Sequence, residues 1–270
     1  MGLFELFGMG AAGASLPDAR APQLAPPEAF FQGAALDLLR AALASNEASM
    51  KQAIAQGADP SAHGPAAKSR NVPQLTLLHY AIGVRNAKAA ALLLACGADP
   101  LQEPRKEDGD AFLFAVIRRD AEMLTALLRH FPLDRMPAAR KAALAFQSLD
   151  FKARECLQVL FDHGMPVGIL DSAGHNLFMY ALEGEDFDTA EWLLAEVKVP
   201  ISGVMDNAGI TPANMVQRAL AEVFKPGSST YRRYEKFKRI MEERGIVFPV
   251  ESSAEWRARM KAQPPAGPAR

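Results

Sequence analysis

The stretch Leu75–Pro100, LTLLHYAIGVRNAKAAALLLACGADP, limits what this chain can fold into more than any other. Two short apolar-periodic runs, 75–84 and 87–95, are separated by Arg85-Asn86 and closed by Gly97-Ala98-Asp99-Pro100. Helices this short are marginal in water on their own. Each run also carries apolar or small residues on more than one face, so a pair of them needs neighbours on both sides. A helix–turn–helix element of this kind predicts copies of itself.

The copies are present. Ala41-Ala42, Ala81-Ile82, Ala115-Val116, Ala145-Phe146 and Ala181-Leu182 align as one equivalent pair. Five residues after each first alanine stand Asn46, Asn86, Asp120, Asp150 and Asp186. Asn and Asp side chains accept hydrogen bonds from the free N–H groups at a helix start, so this position predicts the N-cap of every second helix. Gly-Ala-Asp-Pro follows at 57–60 and 97–100; glycine ends a helix in the left-handed region and proline prevents its resumption. The step is 34 residues from Ala81 to Ala115 and 36 from Ala145 to Ala181, a period of helix-pair solenoids. The Ala145 copy reads as having three extra residues in its second helix and ends Gly164-Met165-Pro166.

On Thr76-Leu77-Leu78-His79-Tyr80-Ala81, which departs from T-P-L-H-x-A only at proline, and on the repeat-opening turn Asp206–Pro212, the chain resembles the ankyrin-repeat family. Tetratricopeptide repeats share the period but lack the Gly-Ala-Asp-Pro stop. The resemblance covers roughly residues 35–248 and implies an all-α fold, an ankyrin-repeat solenoid of about six stacked helix pairs with irregular units and a C-terminal capping helix. The expected organisation is an apolar N-terminal segment with a Pro-rich linker at 1–32, a repeat array at 33–248 and a basic tail at 249–270, largely disordered apart from a short helix around Trp256. It further implies a non-enzymatic module that binds a protein partner through its concave face and connection tips, as a bacterial-type adaptor or toxin-neutralising protein. A membrane-associated effector tethered by the apolar N-terminus and basic C-terminal region is the alternative.

Composition agrees with a globular chain, 49% apolar and 23% charged. Two cysteines do not make a disulfide framework, and no apolar run reaches the eighteen or so residues a membrane helix needs. A cytoplasmic monomer without stable membrane insertion is expected. The opening MGLFELFGMG lacks a positive n-region, and Glu5 interrupts its apolar run. Leu6 stands where a myristoylation signal wants Ser or Thr. A short apolar helix docking on the array, or a loose terminus, is therefore expected there.

The net charge of −1 conceals a division: residues 225–270 hold 11 Lys/Arg against 5 Asp/Glu, leaving the rest with 19 against 26. In Tyr231–Arg244 the residues Tyr234, Phe237, Ile240 and Met241 fall at helical spacing. That pattern predicts a helix capping the last repeat, polar outside, and no nucleic-acid site.

Motifs of chemistry are missing. The five histidines show no His-x-x-x-His, and no Cys-x-x-Cys occurs, so no metal site has local support. Nor is there a Gly-x-Ser-x-Gly elbow, a P-loop or a dinucleotide fingerprint. No cofactor and no enzymatic activity are expected. His79 occupies the family's own histidine position, which implies a hydrogen bond between repeats.

Candidate partner-binding residues come from two places. Function concentrates in loops carried by a rigid scaffold, which singles out Arg70 in the long connection after Pro60, and Arg105, Lys106 and Asp110 in the connection QEPRKEDGD. The ends of the first helices, two to four residues past each repeat alanine, vary from copy to copy. There Arg118, Arg119, Gln147 and Glu183 are the candidates, read as exposed, with arginine suited to bidentate binding of a carboxylate.

Overall fold

Each Asn/Asp-punctuated pair of apolar runs folds as a helix hairpin. The computed structural model describes residues 24–64, 74–104 and 109–262, the Met260 side chain apart. The pairs are α1 (Gly33–Leu43) with α2 (Glu47–Ala55), α3 (Leu77–Gly83) with α4 (Ala87–Ala95), and α5 (Ala111–Ile117) with α6 (Ala121–His130). They continue with α7 (Ala138–Asp150) and α8 (Arg154–Asp162), α9 (Leu177–Glu183) and α10 (Phe187–Ala195), then α11 (Pro212–Arg218) and α12 (Ser229–Glu243). A further helix, α13 (Ser253–Ala262), follows. Strand β1 (His63–Gly64) pairs antiparallel with β2 (Leu75–Thr76), His63 opposite Thr76.

The described residues group into two compact bodies, one holding those up to Ala138 with Glu155–Gly164, the other Ala139–Arg154 with those from Met165. In the first body α3 packs on α5, and α4 on α6, around Leu38, Leu78, Ile82, Leu93, Phe112 and Phe114, all at most 1% exposed. In the second, α10 and α11 both pack on α12, around Phe178, Leu193, Phe237 and Met241, all 0% exposed.

The hairpins share one turn. Two residues before the second helix of each of the first five pairs, φ is positive: Ser45 (55°), Arg85 (56°), Arg119 (51°), Lys152 (49°) and Glu185 (53°). The next residue's N–H reaches back to the last turn of the first helix, as Asn86 N to Ala81 O at 2.9 Å and Asp120 N to Ala115 O at 3.0 Å. Two backbone bonds of this kind, closed by a left-handed residue, satisfy carbonyls that a helix end leaves open. The side chains of Asn46, Asn86, Asp120 and Asp186 then cap the second helix, each accepting a backbone N–H three residues on, at 2.9–3.2 Å. First helices are capped alike by Thr76, Asp110, Asn176 and Thr211.

The fourth hairpin departs from the predicted alignment. Asp150 does not cap α8: it is the last residue of α7, and its carboxylate accepts the Tyr180 hydroxyl at 2.7 Å. The left-handed residue is Lys152, and Ala153 N bonds Ser148 O at 2.8 Å. Ser148-Leu149, not Ala145-Phe146, is thus the equivalent pair, 33 residues from both Ala115 and Ala181. The additional length lies in α7, thirteen residues against seven in α3, α5, α9 and α11. The second helix has nine residues, like α2 and α4. Gly164 falls eleven residues after Ala153, as Gly97 does after Asn86.

One further expectation changes. Within the expected linker, Phe30 and Phe31 are 5% and 3% exposed and both meet Tyr80 edge-on, at 5.7 and 6.0 Å between centroids. Tyr80 Oη donates to Ala25 O at 3.0 Å. Residues 24–31 are therefore part of the fold, because two aromatic side chains bury more apolar area than a solvated linker can leave exposed. In the tail, α13 spans Trp256, where the short helix was expected. The expected docking of the apolar N-terminus falls outside the described residues.

The caps yield a graded expectation. Asn86→Ala and Asp120→Ala should each lower stability by about 1 kcal/mol, measured by urea unfolding. Asp150→Ala, which removes one exposed hydroxyl bond and no cap, should cost well under that. Equal losses at Asp120 and Asp150 would contradict the fourth-hairpin assignment.

Candidate protein-binding surface

The shared turn fixes a backbone and leaves a side chain unspecified. In the first body the left-handed positions carry Arg85 and Arg119, both exposed, and Arg85 Nε lies 3.7 Å from Asp120 Oδ2. Arg118, beside them, is half-buried instead of exposed as predicted. It is the C-cap residue of α5, and its Nη2 points to Gly83 O at 3.5 Å. Burial, then the neighbouring Arg85 charge, holds its guanidinium below the ordinary arginine range, with Asp120 opposing them.

Asp110 is not a surface residue. It is 1% exposed and caps α5 by accepting Leu113 N–H at 2.9 Å, the place Thr76 takes in α3. Gln147 also moves: with Ser148 as the repeat position, it lies before that pair, is half-buried, and accepts from Arg140 Nη1 at 3.0 Å. Arg70, Arg105 and Lys106 lie outside the described residues.

In the second body the left-handed positions carry Lys152 and Glu185, of opposite charge. Glu183 and Glu185 are exposed, and Asp150 holds Tyr180. Burial, followed by that bond, pushes the Tyr180 phenol up to about 12. Glu183 also belongs to a cluster that the sequence reading missed. His175 Nδ1 lies 3.4 Å from both Asp171 Oδ2 and Glu183 Oε2, and its Nε2 lies 3.4 Å from Asp206 Oδ2. Asp171 and Asp206 open successive turns of the form Asp-x-x-Gly, their other carboxylate oxygens accepting backbone N–H groups two and four residues on. The available signal was the paired turns DSAGHN and DNAGIT, which bring two aspartates to the same structural place.

His79 makes its inter-repeat bond. Nε2–H donates to Gly109 O at 3.2 Å, which leaves Nδ1 to accept the Thr76 hydroxyl at 2.7 Å; that oxygen in turn accepts His79 N–H at 3.1 Å. Cys96 and Cys156 are free thiols, and burial pushes Cys156 up to about 12, far from a thiolate at neutral pH. Among the described residues no three His, Cys, Asp or Glu side chains are arranged to hold a metal ion. Among them, too, no helix is long and apolar enough to cross a membrane.

On α12, Arg233 reaches Asp188 at 2.5 Å and Lys236 reaches Glu191 at 2.6 Å, both on α10. Part of the basic C-terminal charge is thus matched within the chain.

Comparison of the sequence with protein-family models finds no match, and comparison with curated proteins finds none. Among solved structures the chain is similar to the crystal structure of the ankyrin repeat domain of Bcl-3, described as a unique member of the IkappaB protein family. The TM-score is 0.60 at 15% identity, covering 81% of this chain and 90% of that one. The chain has the ankyrin-repeat fold, an all-α architecture of repeated helix pairs.

Proposed function

We propose that this chain is a non-enzymatic protein-binding module that acts as a monomer in the cytoplasm, as an adaptor or toxin-neutralising protein. It holds its partner through the ends of its first helices and the adjoining connections. One observation carries the reading. At the left-handed turn positions the fold favours glycine, and a non-glycine residue there costs about 1–2 kcal/mol. Yet these positions carry Ser45, Arg85, Arg119, Lys152 and Glu185, four of them charged. Backbone strain retained at exposed, charged positions points to a role outside the fold. Arg85 and Arg119 suit acidic groups of the partner, and Glu183 and Glu185 suit basic ones. By sequence position Arg70, Arg105 and Lys106 belong to the same proposed surface.

The test separates binding from folding. Arg85→Gly with Arg119→Gly should raise stability by about 0.5–1 kcal/mol per site, the relieved strain exceeding the entropy glycine adds to the unfolded chain. The same variant should lose the partner that wild type captures from native extract, identified by mass spectrometry. A more stable variant that captures the partner undiminished would place binding elsewhere.

A further inference from the structure

The C-terminal segment from Val250 onward is held on α11 in an unusual way. Gln217 Oε1 accepts Val250 N–H at 2.7 Å, and Gln217 Nε2 donates to Val250 O at 3.1 Å. Asn214 Nδ2 donates to Glu251 O at 2.6 Å. All three bonds address main-chain atoms, so they specify an extended backbone and make no demand on the bound side chains. Specificity comes from Trp256, whose ring lies over Gly209: a Cβ built there would stand 2.7 Å from the indole.

This place on the helix has a structural meaning. Asn214 stands three residues after the cap Thr211, as His79 stands three after Thr76. His79 reaches the backbone of the following repeat at Gly109 O, and Asn214 reaches Glu251 O in the same way. The arm therefore occupies the site of a next repeat, with Ser252 as its helix cap: Ser252 Oγ accepts Glu255 N–H at 3.2 Å. A repeat helix in that situation is tightly buried; α5 buries all seven of its residues. Helix α13 buries none of its described side chains, Trp256 being half-buried.

The arm also maintains itself. Ser252 N–H donates back to Glu255 Oε2 at 2.7 Å, and Arg259 holds Glu251 through bonds of 2.9 and 2.8 Å. Those bonds join residues of the arm alone, while its anchors among the described residues are three bonds to main-chain atoms and one indole.

We propose that the α11 face formed by Gly209, Asn214 and Gln217 is a docking site for a partner protein's extended segment that leads into a helix with an aromatic side chain on its first turn. Residues 249–262 fill that site as a displaceable occupant supplied by the chain itself. The proposal deepens the protein-binding reading above, but its test uses a peptide of this chain. Failure here would leave the arginine positions of the first body untouched.

The probe is a fluorescently labelled peptide with the sequence of residues 246–262, added to the full-length protein. Val250→Pro with Trp256→Ala removes the N–H that Gln217 accepts and the indole over Gly209, releasing the arm. That variant should bind the peptide at least tenfold more tightly than wild type, and adding Gln217→Ala should cancel the gain. Equal binding by wild type and the released variant, or a gain indifferent to Gln217→Ala, overturns the proposal. So does loss of the circular-dichroism melt in the released variant, which would make the arm integral to the fold. On unmodified protein, amides of α13 should exchange with solvent well before those of α12; equal protection would overturn it as well.

Discussion

Phe237→Ala is expected to destabilise the protein by about 3–5 kcal/mol, the usual range for emptying a fully buried phenylalanine site. Phe237 is 0% exposed and sits edge-on to Phe178 at 5.7 Å and to Tyr234 at 5.5 Å. Removing the ring leaves a cavity between α12 and α9 and withdraws both aromatic contacts. Tyr234, Phe237 and Met241 form the buried stripe of a helix whose other residues are largely charged, so the second body depends on this one face. Glu235→Ala, on the exposed side, should change stability by less than about 0.5 kcal/mol. Chemical denaturation of the two variants checks the contrast. A Phe237→Ala protein as stable as wild type would mean that α12 does not close the second body.

Acid should weaken the first body through His79. The ring is 1% exposed, and its pKa is lowered from 6.5 to about 4, chiefly by burial, with the Gly109 bond and Asp110 opposing the shift. Below pH 6.5 the unfolded chain takes up a proton that the folded chain refuses. The contribution of this group is complete above pH 6.5 and is lost as pH falls towards 4. Between pH 7.5 and 5 the loss amounts to about 2 kcal/mol. In His79→Gln the stability at pH 7.5 should be lower, because one amide cannot reproduce both ring contacts, while this part of the acid slope should disappear. Urea unfolding of both proteins across that pH range gives the difference. Parallel pH profiles would show that the imidazole is protonated in the folded state.

Both predictions rest on residues whose importance was legible in the sequence to different degrees. Phe237 follows from helical spacing with Tyr234 and Met241, a pattern held within eight residues. His79 was legible as a repeat histidine, but its partner Gly109 lies thirty residues on, across a connection of irregular length. The turn that carries Arg85 and Arg119 was visible as a boundary; its left-handed backbone, which gives those side chains their meaning, was not. Asp110 illustrates the opposite error. Among the charges of QEPRKEDGD it looks like a solvated loop residue, yet one backbone N–H three residues on makes it a buried cap.

By itself the sequence determined the helix hairpins, because caps, glycine stops and apolar periods act within about a dozen residues and need no distant partner. It also determined that the hairpins repeat, since each leaves faces that only a neighbour can bury. Tertiary structure decided the fourth hairpin. Asp150 could cap a helix or end one; the Tyr180 hydroxyl, thirty residues on, takes its carboxylate, and Lys152 takes the left-handed turn in its place. It decided too that Arg118 is half sheltered by its neighbours, and that the tail returns to α11. Those outcomes depend on bonds between residues 33 to 37 positions apart, where the favourable contact exists only after the intervening chain has folded.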